Sequence, residues 1–245
     1  MRLQDMLSRQ GTWLFRWRGL LPVIMIPLAL LALQDLRHNP LPQRENLWDP
    51  LCVLLGFTGL IMRGAIVGYA PRGASSRKTR RPEGETLNTT GLYSVMRHPL
   101  YAANFLMFLG LLLFLGVWWF VLAGTLAYWL YYERIMLAEE AYLVQRFGRR
   151  FHVWATTTPA LLPRFSLWRP PVEEFSMRKV LRREYNGFLV LVAGFAALEI
   201  AECAVLNRTP DAYILPAASL AAALGVFTVL RTLSRHTRLL HASSR

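Results

Sequence analysis

Long apolar stretches alternate along the chain with short polar ones. Four of them, roughly 19–36, 47–70, 186–206 and 211–231, are each long enough to cross about 30 Å of hydrocarbon as a helix. A fifth, 100–138, is too long for one crossing and carries no charge before Glu133. Gly116 near its middle, followed by Trp118 and Trp119, predicts a tight helical hairpin whose turn lies in an aromatic interfacial belt. The expected fold is therefore all-α, a multi-span membrane protein of about six transmembrane helices, with 100–116 and 117–138 as a central antiparallel hairpin.

Between and around the spans the pattern changes. Residues 4–18 place Trp13, Phe15 and Trp17 among arginines, as in an interfacial helix leading into the first span. The Gly/Ser/Arg-rich stretch 71–90 breaks every periodicity and reads as a connector. After the hairpin, apolar and aromatic residues recur at helical spacing from Glu139 until Pro159 and Pro163 stop them, predicting a half-buried interfacial helix. The segment 166–185 is basic and polar, an interfacial linker to a second hairpin whose turn holds Pro210 and Asp211. The organisation is thus 1–18 N-terminal interfacial helix, 19–165 core, and 166–245 linker plus C-terminal transmembrane hairpin.

Composition agrees: 54% of the 245 residues are hydrophobic. The net charge of +13 does not imply a nucleic-acid partner, because the charge is distributed by side. Segments 1–18, 71–100, 134–185 and 231–245 hold all but four of the 28 Lys and Arg, which puts both termini and both long loops in the cytoplasm. The expected location is a bacterial cell membrane. Cys52 and Cys203 fall inside apolar spans and form neither a disulfide framework nor a metal pattern.

The chemistry gathers at the base of the hairpin. Pro99 suits the first turn of a helix, where its missing N–H costs nothing, so the third span begins beside His98. A helix from 99 to 116 rises about 27 Å and the return helix descends as far by about residue 135. Arg97, His98 and Tyr101 therefore finish at the same membrane face as Glu139 and Glu140. On the return helix Glu133, Met136, Leu137 and Glu140 share one face by spacing. Taken singly, Arg97 is a snorkelling anchor and Tyr101 a belt residue; taken together, charged groups at this depth mark a functional site.

The order Gly91-x-Tyr93-x-x-x-Arg97-His98-Pro99-x-Tyr101, an apolar hairpin, then Glu139-Glu140-x-x-Leu143-x-x-x-Phe147-Gly148, resembles the membrane methyltransferases that include isoprenylcysteine carboxyl methyltransferase and phospholipid methyltransferases. The resemblance covers roughly 50–165. It implies S-adenosylmethionine as cofactor, with Arg97, His98, Pro99 and Tyr101 as one wall of its site and Glu139 and Glu140 as the other. It also implies an acceptor admitted from the bilayer, a membrane lipid or lipid-modified molecule. Where the family usually has Tyr after Phe-Gly, this chain has Phe151, so no polar role passes to that position.

In-line methyl transfer asks for alignment and exclusion of water, with no metal. A carboxylate or phosphate acceptor is already anionic at neutral pH, whereas an ammonium must first lose a proton. Arg63 within the second span, and Arg72, Arg77, Lys78, Arg80 and Arg81 after it, suit an anionic acceptor and hence O-methylation. Arg63, Arg97 and Glu140 are the candidate catalytic residues. N-methylation of an aminophospholipid and a nicotinamide-dependent membrane reductase are the alternatives. Glu199 and Glu202 share a face of the fifth span without an assigned role.

Overall fold

A computed structural model describes residues 3–17, 19, 21–38, 47–71 and 86–236. The basic loop positions Arg72, Arg77, Lys78, Arg80 and Arg81 lie outside the described residues. The described residues form helices in the order α1 (Leu3–Arg16), α2 (Leu21–Ile24), α3 (Ile26–His38), α4 (Trp48–Gly68), α5 (Leu92–Val95), α6 (Pro99–Phe114), α7 (Trp118–Phe147), α8 (Arg149–Thr157), α9 (Met177–Val205) and α10 (Ile214–His236). Short 3-10 turns at Phe165–Leu167 and Pro210–Tyr213 complete them.

Among the described residues three helices are long and apolar enough to cross a membrane: α4, α9, and α10 with its preceding turn. α6 is a shorter apolar helix. The first expected span is not one helix. It breaks at Met25, because Pro27 has no N–H and its ring crowds the carbonyl four residues earlier; α3 restarts with the Ala29 amide on the Met25 carbonyl at 2.9 Å.

The hairpin forms as its pattern predicts. α6 stops at Phe114, and Gly116 takes φ 70°, with its amide on the Leu113 carbonyl at 2.9 Å. α7 then runs for 30 residues, about 45 Å, a length greater than the hydrocarbon thickness. Glu139 to Phe147 thus continue the return helix, where a separate interfacial helix was expected. The break comes at Gly148, with φ 51°, and α8 follows and ends before Pro159, as the residue preceding proline disfavours helix.

The linker is also shorter than its composition predicts. α9 begins at Met177, capped by the Ser176 side chain, which accepts the Lys179 amide at 3.5 Å. Charged residues 178–184 therefore belong to the first turns of a spanning helix.

The chain divides into two compact units. One comprises 25–68, 103–124 and 176–245, the other 1–24, 69–102 and 125–175. In the first, Ala32, Leu33 and Leu36 of α3 pack with Leu112, Leu115 and Phe120 of the hairpin's turn end. A second cluster joins Cys52, Phe114, Leu191 and Phe195. Close approach there depends on glycine: a Cβ on Gly59 would lie 2.5 Å from the Ala103 carbonyl oxygen. In the second unit, α1 lies against α7 through Gly11, and the Tyr131 hydroxyl donates to the Leu14 carbonyl at 3.0 Å.

Candidate functional site

The site is built within the second unit from two segments that meet only through folding. Pro99 starts α6, and the His98 carbonyl accepts the amides of Tyr101 and Ala102, both at 3.2 Å, so His98 is the residue that caps the helix. Its ring is not free to swing. His98 is 5% exposed, with Nε2 2.9 Å from Oε1 of Glu140 and Nδ1 3.7 Å from Oε2 of Glu139. Because an ionised carboxylate only accepts, Nε2 carries the proton in that bond. The histidine acts both through its backbone and through its ring.

Arg97 reaches the same oxygen. Its Nε donates to Glu140 Oε1 at 2.8 Å, while one terminal nitrogen donates to the carbonyls of Ala155 and Thr158, each at 2.8 Å. One carboxylate oxygen therefore ties α7 to the start of α6, and the guanidinium ties both to the end of α8. Burial pushes the Glu140 carboxyl up, but the hydrogen bond and charge of His98, then those of Arg97, outweigh it and hold the carboxyl below its ordinary value. Among the described residues the second oxygen, Oε2, accepts no hydrogen bond.

Aromatic rings form the floor. The Tyr101 ring lies 5.7 Å from His98 and 5.0 Å from Tyr132, which stacks on Tyr128 at 4.3 Å between centroids. The Tyr128 hydroxyl, fully buried, donates to the Tyr101 carbonyl at 2.7 Å. The buried face of α7 thus runs through Tyr128, Tyr132, Ile135 and Met136 to the glutamates. Of the residues that share a face by spacing, Met136 and Glu140 border this buried surface, while Glu133 lies at its edge and is exposed.

A returning segment closes this arrangement. The amides of Arg97 and His98 donate to the carbonyls of Pro159 and Ala160 at 2.8 and 3.1 Å, and the Arg164 amide donates to Val95 at 2.9 Å. Trp154 Nε1 donates to the Tyr93 carbonyl at 3.2 Å. Phe151 is 3% exposed and packs on Trp154, an apolar role consistent with its missing hydroxyl.

The other unit holds Arg63. Its Nε and one terminal nitrogen grip the two oxygens of Glu184 at 2.8 and 3.0 Å, and the other terminal nitrogen donates to Asn104. Sequence reading missed Glu184 because it placed 184 in a linker; Ser176 as a helix cap followed by charged residues and an apolar run is the signal that would have found it. It missed Tyr128 and Tyr132, whose i, i+4 spacing on the return helix is legible. The carbonyls of Ala155, Thr158, Pro159 and Ala160 have no side-chain signature.

A family model described as phospholipid methyltransferase matches residues 77–150. A cobalt-zinc-cadmium resistance protein of Cupriavidus metallidurans is 38% identical over 133 residues, 50% of this chain and 56% of that protein. A protein-S-isoprenylcysteine O-methyltransferase of Schizosaccharomyces pombe is 32% identical over 85 residues, 35% of this chain and 36% of that protein. A nickel-cobalt-cadmium resistance protein of Alcaligenes xylosoxydans xylosoxydans is 32% identical over 156 residues, 62% and 65% of the two. The chain thus spans between about a third and two thirds of the length of these relatives. No solved structure gives a significant match.

Proposed function

We propose, from the premise that the chain belongs to the phospholipid methyltransferase family of membrane proteins, that it is a membrane methyltransferase using S-adenosylmethionine. The observation that carries this reading is the single Glu140 oxygen shared by Arg97 and His98, with Glu139 beside it. When bound, the cofactor supplies an electrophilic methyl on a sulfonium. Its amine and carboxylate suit a donor set of two carboxylates, a guanidinium and an imidazole.

In this reading Glu140, held ionised by its neighbours, offers Oε2 to the cofactor's cationic groups, and Glu139 adds a second carboxylate. Arg97 positions Glu140, and Nε2 of His98 donates its hydrogen bond to the shared oxygen. Pro99 and Tyr101 hold the wall in place, with the Tyr101–Tyr132–Tyr128 rings excluding water beneath it. Arg63 is a positioning residue, because its guanidinium is occupied by Glu184 and Asn104.

The acceptor we assign is a carboxylate or phosphate on a lipid or lipid-modified molecule, which needs no base because it is already ionised. The enzyme would sit in a bacterial cell membrane with both termini cytoplasmic. Two relatives are named for metal resistance. In this reading a link to metal tolerance would run through a methylated membrane component.

The test uses purified full-length protein in detergent. S-adenosylhomocysteine should raise its melting temperature and NADPH should not; the reverse pattern overturns the reading in favour of a reductase. Lipid mass spectrometry of cells with and without the gene then reads the acceptor. Gain of one methyl on an acidic lipid supports O-methylation, and gain on an aminophospholipid replaces it with N-methylation.

A further inference from the structure

Residues 162–175, between the site and α9, expose apolar side chains of a size that soluble surfaces seldom leave uncovered. Leu162 is 83% exposed, Phe165 69%, Trp168 51%, Val172 81% and Phe175 45%. Their backbone is nonetheless pinned. The Arg164 amide donates to Val95, the Gly91 amide to the Arg169 carbonyl at 2.9 Å, and the Arg169 amide to Ser94 Oγ at 2.9 Å. With Pro159 and Ala160 accepting from Arg97 and His98, the segment is a strap laid along 91–98, the stretch that leads into α6.

The level of the strap follows from what it joins. Phe175 immediately precedes Ser176, the cap of α9, so the strap runs directly into the charged first turns of a helix long and apolar enough to cross a membrane. Its ring lies 5.1 Å from that of Tyr69, the residue after spanning helix α4. Tyr and Trp at such ends occupy the headgroup boundary. Electrostatics do not select the surface, since Arg164 and Arg169 are offset by Glu173 and Glu174.

We propose that the strap 162–175 lies in the headgroup layer of the bilayer, with Leu162, Phe165, Trp168 and Val172 immersed in the lipid, and that the lipid thereby holds the 91–98 backbone in register. The partner is the bilayer interface, neutral or anionic alike, because apolar burial drives the contact. This inference does not require the methyltransferase reading: it concerns what positions the Arg97–His98 segment.

Two measurements test it. Val172→Cys, and separately Leu162→Cys, is labelled with an environment-sensitive fluorophore; the native Cys52 and Cys203 are buried. The full chain is reconstituted in phosphatidylcholine vesicles with and without phosphatidylglycerol. Immersion predicts blue-shifted emission, quenched by lipid carrying a doxyl group near the headgroup and little by aqueous iodide, equally in both vesicles. Quenching by iodide alone, or protection from both quenchers together with self-association of the chain, overturns the proposal.

Hydrogen exchange of the peptide covering 91–98 reads the coupling. Its amides at Gly91, Arg97 and His98 should be more protected in vesicles than in detergent depleted of lipid, and Leu162→Ser/Val172→Ser should lose that gain. Equal protection in both media would show that lipid does not hold the segment.

Discussion

Glu140 carries two partners on one oxygen, and each should be separable by substitution. Glu140→Gln keeps the shape but removes the charge that both Arg97 Nε and His98 Nε2 address, so affinity for S-adenosylhomocysteine should fall at least about tenfold in titration calorimetry while the protein stays monodisperse. Unchanged affinity would remove Glu140 from the site. A pH dependence accompanies it. Because the folded carboxyl sits below its ordinary value of 4.5, its contribution to stability is complete above that value and is lost as pH falls through the lower, folded one. The melting-temperature difference between the native protein and Glu140→Gln should therefore be constant near neutrality and shrink below about pH 4.5. The cluster was legible in the sequence because Pro99 fixes where α6 begins and helical rise fixes where α7 returns. The aromatic floor went unread although Tyr128 and Tyr132 stand at i, i+4, and the carbonyls of Ala155 and Thr158 were not legible, since backbone acceptors carry no residue type.

At the scale of elements, α4, α6 and α9 are joined by Arg63, Asn104 and Glu184. Removing one partner leaves a charge in an apolar surround. Glu184→Ala should destabilise by about 3–5 kcal/mol, whereas Arg63→Met with Glu184→Leu should come within about 2 kcal/mol of the native protein, read by thermal unfolding in detergent. Equal losses in both would mean that the pair is not the interaction that matters. Glycine contacts give an independent test of the same helices. Ala at Gly59 would press on the backbone of Ala103 and Met107 and should cost about 1–3 kcal/mol. Ala at Gly225 meets nothing within 4 Å and should be neutral or slightly stabilising. Hydropathy located α4, α6 and α10 because each is apolar almost throughout. It misplaced the start of α9, whose first turns are charged, and it passed over the break at Met25, where Pro27 matters more than mean hydropathy.

For the whole molecule the open quantity is sidedness, and one helix decides it. Between α8 and the Pro210–Tyr213 turn the described chain has one helix long and apolar enough to cross, α9, and between that turn and His236 one more, α10. The prediction from one crossing each is that exposed positions 153 and 236 label from one side and 209 from the other. The positive-inside rule predicts which is cytoplasmic: 134–185 and 231–245 are rich in Lys and Arg, and the short 207–210 turn holds only Arg208. Single cysteines at Val153→Cys, Thr209→Cys and His236→Cys, treated in intact cells with a membrane-impermeant maleimide, should label at 209 alone. The other two should label only after permeabilisation, and Cys52 and Cys203, being buried, add no background. Labelling of 153 and 209 from the same side would break the single-crossing assignment of α9. Opposite labelling with the sides exchanged would keep the fold and place Arg97, Glu139 and Glu140 outside the cell, away from the cytoplasmic supply of S-adenosylmethionine, so the proposed chemistry depends on this sign as much as on the geometry of the site.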